Sequence, residues 1–230
     1  SRSVFVPPVA ALLLGVLFLT GSRAAAGCLL GAFILTLVIF PYDRRLRLSL
    51  LGLTLAALAC GVAYICLSER GLKSLMFRFD YFWGALRMFF EHPVCGTGWG
   101  DFFHEFMKIK LVEADEAPHC PHNTLLSFAS QTGAAGLAVS FLVLFYPLWR
   151  GWRSIRADFA SEKPFSMRLA LFTGLAAWAF HSLADVNMQV AGTMATAALM
   201  GIALCSREEG DDNPGAAAFL TTQKLMWHVA

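Results

Sequence analysis

The sequence is poor in charge. Only 15% of its 230 residues are Asp, Glu, Lys or Arg, against 57% that are hydrophobic, and the mean hydropathy is +0.58. Soluble domains carry about 25% charged residues, so an ordinary water-surrounded globule is excluded and a chain built for lipid takes its place. A net charge of +2 offers no strongly basic surface to nucleic acid. Six cysteines are present, none of them in a Cys-x-x-Cys pair, which removes the usual zinc and redox signatures. No repeat of fixed period runs through the chain. The apolar stretch Val4–Thr20 lacks the small-residue cleavage site of a signal peptide. The chain opens Ser1-Arg2 without Met and reads as the C-terminal part of a longer membrane protein.

What the chain does have is apolar runs. Six can be drawn: Val4–Thr20, Ala24–Phe40, Leu48–Leu67, Thr124–Trp149, Leu169–Leu183 and Val190–Cys205. A membrane crossing takes about 20 residues, and roughly 17 at the short end. The third and fourth runs meet this, the first two reach the lower bound, and the last two need polar residues at their ends. In lipid such segments must be helices, because their backbone groups have no water to bond. The expected fold is therefore all-α, a polytopic transmembrane helix bundle of about six spans.

The basic residues set an orientation. Arg44, Arg45 and Arg47 follow the second run, and Arg150, Arg153, Arg156, Lys163 and Arg168 follow the fourth. Both loops belong on the cytoplasmic side by the positive-inside rule, and the two spans between them make that parity self-consistent. The same orientation puts Ser68–Asn123 outside as one large loop, together with Gly21-Ser22-Arg23 and residues 184–189. The tail 206–230, rich in Asp, Glu, Gly and Ala, falls inside and is expected to be poorly ordered.

The outer loop has structure of its own. Across Arg78–Glu91, Phe79, Phe82, Trp83, Leu86, Phe89 and Phe90 recur at helical spacing, which predicts an amphipathic helix lying on the membrane, ended by His92-Pro93. Gly96-Thr97-Gly98-Trp99-Gly100 follows; with no strand before it, it is expected to be a tight turn rather than a phosphate loop.

Several residues in these outer segments can carry chemistry. Arg87 has Asp80 and Glu91 on its own helix face and suits a surface ion pair. Arg78 lies on the apolar side, where it either snorkels or faces an anionic ligand. Arg23 sits at a span end, either as an interfacial anchor or, on the face that holds Arg78, as half of a two-arginine clamp; guanidinium groups bind phosphate oxygens in bidentate fashion. His119 and His122 lie in Ala117-Pro118-His119-Cys120-Pro121-His122-Asn123-Thr124, at the mouth of the fourth apolar run. They lack the two further ligands that a zinc site needs. Asn123 or Thr124 suits a helix cap. His122 either shares that interfacial role or serves as a general base, while His119 is a neighbour or a contact to substrate. Cys95 and Cys120 can form a disulfide in an oxidising compartment. His181 and Asp185, four apart, are expected on one helical face, paired with each other or supporting the loop above.

In order and spacing these residues resemble the O-antigen ligase and polymerase superfamily. The pattern comprises Leu19-Thr20-Gly21-Ser22-Arg23-Ala24; Arg78 with Trp83-Gly84-Ala85-Leu86-Arg87-Met88-Phe89; His92-Pro93-Val94-Cys95-Gly96-Thr97-Gly98-Trp99-Gly100-Asp101-Phe102; Pro121-His122-Asn123-Thr124-Leu125-Leu126 with Gln131-Thr132-Gly133 and Gly136; and His181-Ser182-Leu183-Ala184-Asp185. It covers about residues 15–205. The resemblance implies a GT-C-like glycosyltransferase of the bacterial inner membrane, with its domain at residues 1–205, its large loop at 68–123 in the periplasm and a cytoplasmic tail beyond. It implies an undecaprenyl-pyrophosphate-linked glycan as donor, and a lipid A-core, another glycan or a protein as acceptor, within surface polysaccharide biosynthesis. It maps the catalytic histidine to His122 and the pyrophosphate-binding arginines to Arg23 and Arg78, with Arg87 as a rival; His119, Asn123, His181 and Asp185 fall around them. It also implies about twice the spans present here. No cofactor or metal is expected, membrane lipid is the surrounding partner, and the mechanism expected is an inverting single displacement. Two other classes stand against it: a lipid-linked glycan transporter, which needs midplane charges and paired broken helices, and a non-catalytic membrane subunit.

Overall fold

The six apolar runs all become helices, and two more helices form in the large loop between the third and fourth. The computed structural model describes residues 6–40, 43–110, 116, 118–158, 167–185 and 189–205. The tail 206–230, Lys163 and Ala117 lie outside the described residues. The order is α1 (Val6–Leu19), α2 (Arg23–Ile39), α3 (Arg44–Leu67), α4 (Glu69–Glu91), α5 (Phe102–Ile109), α6 (Thr124–Asp158), α7 (Met167–Ser182) and α8 (Ala191–Cys205). Among the described residues there is no strand. By length and composition α3 and α6 can cross a membrane, while α2 and α8 are shorter apolar helices.

Capping explains several of the boundaries. The Ser22 hydroxyl accepts from the Ala25 N–H at 3.2 Å and starts α2. The Asp43 carboxylate accepts from the N–H groups of Arg45 and Leu46 and starts α3. Ser68 ends α3 and caps α4 through Gly71 N–H, so α4 begins at Glu69, nine residues before the start expected from its aromatic periodicity. Each such cap contributes about 1 kcal/mol.

Two apolar clusters hold the chain together. The larger joins α2, α6, α7 and α8 around Phe40, Leu144, Ile155, Phe172, Leu175 and Leu204. Small residues let these helices approach: Ala32, Ala176 and Ala179 are fully buried. Phe40 meets Phe172 edge to face at 5.3 Å, and the Thr36 and Thr173 hydroxyls are 3.0 Å apart across the α2–α7 contact. The smaller cluster, Tyr81, Ala85, Met88, Phe102 and Phe106, pins α4 to α5. Outside these clusters large apolar residues remain exposed along α1 and α3, among them Leu12, Leu13, Phe18, Leu53, Val62 and Leu67.

The long helix α6 is broken near its start. Gly133 has φ 70° and ψ −158°, which interrupts the ladder and frees the carbonyls before it and the N–H after it. The glycine turn after α4 takes them up. Thr97 N–H donates to Ser130 O at 2.9 Å, Gly98 N–H to Gln131 O at 3.1 Å, and Ala134 N–H to Pro93 O at 2.8 Å. The Gln131 side chain completes the lock by accepting from Gly100 N–H at 2.7 Å. Here the left-handed glycines are required. A Cβ on Gly133 would collide with the Val94 carbonyl, and one on Gly96 with the Gln131 carbonyl. The turn Gly96–Gly100 is thus a structural clasp on α6, which fixes where that helix begins and what stands in front of it.

Candidate functional site

Just before α6 the chain makes a strained approach. Pro121 is fully buried, and His122 has φ 48°, a left-handed conformation that few non-glycine residues adopt. Asn123 then caps the helix: its side-chain oxygen accepts from Leu126 N–H at 3.0 Å, and its amide donates to Leu183 O at 2.7 Å. Thr124 donates its hydroxyl to Asp185 O at 3.2 Å. The start of α6 is therefore stitched to the segment that follows α7.

That stitching brings His122 against Asp185, with Nδ1 3.1 Å from Oδ1. The carboxylate only accepts, so Nδ1 carries the proton and the neutral ring keeps its lone pair on Nε2. The two side chains are 40% and 39% exposed, which leaves the imidazole open to a ligand. The expected placement of His181 and Asp185 on one helix face is corrected here. α7 stops at Ser182, where Leu183 and Ala184 N–H groups fold back onto the Phe180 and His181 carbonyls. Asp185 therefore lies beyond the helix and turns toward His122.

Arg78 reaches the same segment from α4, donating from Nη1 to Ala184 O. Its guanidinium also lies close enough to Cys28 of α2 and His181 of α7 for its charge to act on both. A cavity of about 390 Å³ opens beside it, lined by Lys73, Ser74, Phe77, Arg78, Tyr81, Glu116 and His122. The α4 members follow helical spacing, with Ser74, Phe77, Arg78 and Tyr81 on one face. Tyr81 donates to the Glu116 carboxylate, and its ring is 6.0 Å from the His122 ring. Burial, helped by the Glu116 carboxylate, pushes the Tyr81 phenol above its ordinary range.

The remaining expected residues sit elsewhere. Arg23 stands at the start of α2 with its guanidinium over the Tyr64 ring at 5.5 Å, and it does not line the cavity. Tyr64 lies near the end of α3, where Ser68 leads into α4, so Arg23 stands at the end of the bundle from which the Arg78 helix starts. Arg87 pairs with Glu91 at 2.8 Å and lies over the Trp83 ring. His119 stacks on Phe103 at 5.0 Å, outside the cavity. Cys95 and Cys120, whose pairing the sequence leaves open, are free thiols. Burial pushes the Cys120 thiol up and makes it a poor nucleophile. The cavity adds Lys73, Tyr81 and Glu116, which sequence reasoning passed over. Tyr81 was signalled by its three-residue spacing from Arg78, whereas nothing local marks Glu116.

Residues 8–141, more than half of the chain, match the O-antigen ligase family, and the chain belongs to that family. It is a membrane protein of glycan processing, with ligase- or polymerase-like glycosyl transfer as the family's activity. The matched region contains Arg23, Arg78 and His122, and Asp185 lies beyond it. No curated protein matches the chain.

Proposed function

We propose that this member of the O-antigen ligase family transfers a glycan from undecaprenyl pyrophosphate to an acceptor hydroxyl, on lipid A-core or another glycan, at the periplasmic face of the inner membrane. The observation that carries the reading is that one cavity joins the cation of Arg78 to the imidazole of His122, with the Asp185 carboxylate behind that ring. In this reading the chain is a GT-C-like bundle of about six spans over residues 1–205. Residues 68–123 form the periplasmic loop, and the tail 206–230 is cytoplasmic.

The steps follow from the groups present. Nε2 of His122 takes the proton of the acceptor hydroxyl as its oxygen attacks the anomeric carbon. The bond from that carbon to the phosphate oxygen breaks, and its electron pair leaves on undecaprenyl pyrophosphate. Asp185 holds the Nδ1 proton and stabilises the imidazolium formed at Nε2, as an orienting carboxylate does in an Asp–His pair. Arg78, with donors left beyond the one given to Ala184, binds the pyrophosphate and offsets the charge that grows on it. In this reading Arg23, at the start of α2, binds the other face of the pyrophosphate. Attack opposite the leaving group inverts the anomeric centre. With arginines meeting the charge of a good leaving group, the step needs no metal.

Deletion of the gene and complementation, with surface glycan resolved on a gel, tests the reading. Restoration of a single transferred length marks a ligase; restoration of a ladder marks a polymerase. Unchanged surface glycan on deletion, in a host without a second such enzyme, contradicts it.

A further inference from the structure

We propose that the opposite edge of α4 carries a saccharide subsite that holds the acceptor glycan; the inference rests on the transferase reading above. α4 shows three strips. Ser74, Phe77, Arg78, Tyr81, Ala85 and Met88 form the side turned to the cavity and the smaller core. Leu72, Met76, Phe79, Trp83, Leu86 and Phe90 form an exposed apolar stripe opposite it. Lys73, Asp80, Arg87 and Glu91 form a polar strip between the two.

A second cleft, of about 360 Å³, lies where the apolar stripe meets the polar strip. It is lined by Phe79, Asp80, Trp83, Phe106 and Lys110, a size in the range of small-ligand sites. Its chemistry is mixed. An acyl chain entering it would strip water from the Asp80 carboxylate without replacing its hydrogen bonds. A pyranose ring has the matching duality: an apolar C–H face that lies on an aromatic ring, and a rim of hydroxyls that donate to a carboxylate and accept from an ammonium.

The cleft and the His122 cavity lie on different sides of one small core. Phe106 lines it, and the Phe106 ring is 5.9 Å from the Tyr81 ring, which is 6.0 Å from the His122 ring. The Tyr81 and Phe106 rings are buried core, so the cleft lies beyond this wall from the base and across α4 from Arg78, where it holds a flanking sugar of the acceptor chain and not the one that reacts. Donor and acceptor approach from different sides, one held by cations and the other by aromatic rings and a carboxylate.

The test uses the full protein in nanodiscs, with core oligosaccharide released from lipopolysaccharide by mild acid as the probe. Wild type and His122→Ala bind it saturably by calorimetry. Trp83→Leu and Asp80→Asn each weaken that binding about tenfold and raise the acceptor KM while leaving the donor KM unchanged; Trp83→Phe keeps most of the affinity. Equal binding by all five proteins overturns the proposal. So does a Trp83→Leu protein that binds the probe as wild type does, which makes the stripe a lipid contact only. Full transfer by His122→Ala alongside lost binding by Asp80→Asn removes the base assignment and leaves the subsite standing.

Discussion

Nδ1 of His122 and Oδ1 of Asp185 lie 3.1 Å apart although 63 residues separate them in the chain. The contact exists because the start of α6 and the segment after α7 are bonded through Asn123 to Leu183 O and through Thr124 to Asp185 O. The ring is thereby held in one tautomer beside the cavity that Arg78 lines.

Replacement of Asp185 by Asn keeps the size of the side chain and the backbone carbonyl that Thr124 uses. It offers Nδ1 an amide that can donate, which favours the wrong tautomer. Transfer by the reconstituted protein is expected to fall by up to about 10⁴-fold with little change in melting temperature. Wild-type kcat in this variant means that Asp185 does not orient the base.

Arg78 and Arg87 separate cleanly. Arg78→Ala is expected to raise the donor KM, and Arg78→Lys to recover little of the loss, because an ammonium lacks the forked donors that match phosphate. Arg87→Ala, which removes an exposed pair with Glu91, costs under about 1 kcal/mol of stability and leaves transfer near wild type. Kinetics for the three variants with a lipid-linked donor decide between the two arginines.

The clasp on α6 predicts a contrast between glycines. Gly133→Ala places a Cβ against the Val94 carbonyl at φ +70° and is expected to cost at least about 2 kcal/mol. Gly52→Ala, in the interior of α3 with nothing near the new Cβ, is expected to be neutral or stabilising by up to about 1 kcal/mol. Thermal unfolding in detergent measures both.

Tyr81 predicts a pH dependence. Its phenol is raised by burial and by Glu116, so the folded state keeps the proton that the unfolded chain releases near pH 10. The stabilisation is complete below about pH 10 and is lost as pH climbs from there toward the raised folded value. Tyr81→Phe is expected to flatten this alkaline limb in melting curves taken across pH 8 to 11. An unchanged limb shows that Tyr81 does not cause it.

The apolar runs were legible because lipid demands helices wherever such a run stands, and the exposed aromatic side of α4 was legible from Phe79, Trp83, Leu86 and Phe90. The cavity side of α4 was not: Tyr81, Ala85 and Met88 make a weaker pattern than the aromatics beside them, and the helix starts earlier, at a Ser68 cap that the apolar period does not announce. The break at Gly133 was hidden because a lone glycine is tolerated in a helix, and only the returning loop reveals why this one is needed. Asp185 was assigned to a helix face because neither glycine nor proline marks the end of α7 at Ser182. Its partner lies in another segment, where local spacing carries no signal. His122, by contrast, was singled out by its place between Pro121 and a helix cap.

The role of His122 as base is decided by single-turnover glycan transfer by purified wild-type and His122→Ala protein in vesicles, with an undecaprenyl-pyrophosphate-linked donor and a lipid-anchored acceptor. His122→Ala is expected to bind donor as wild type does and to transfer at a rate lower by about 10²–10⁴-fold. Transfer at the wild-type rate by His122→Ala contradicts that role.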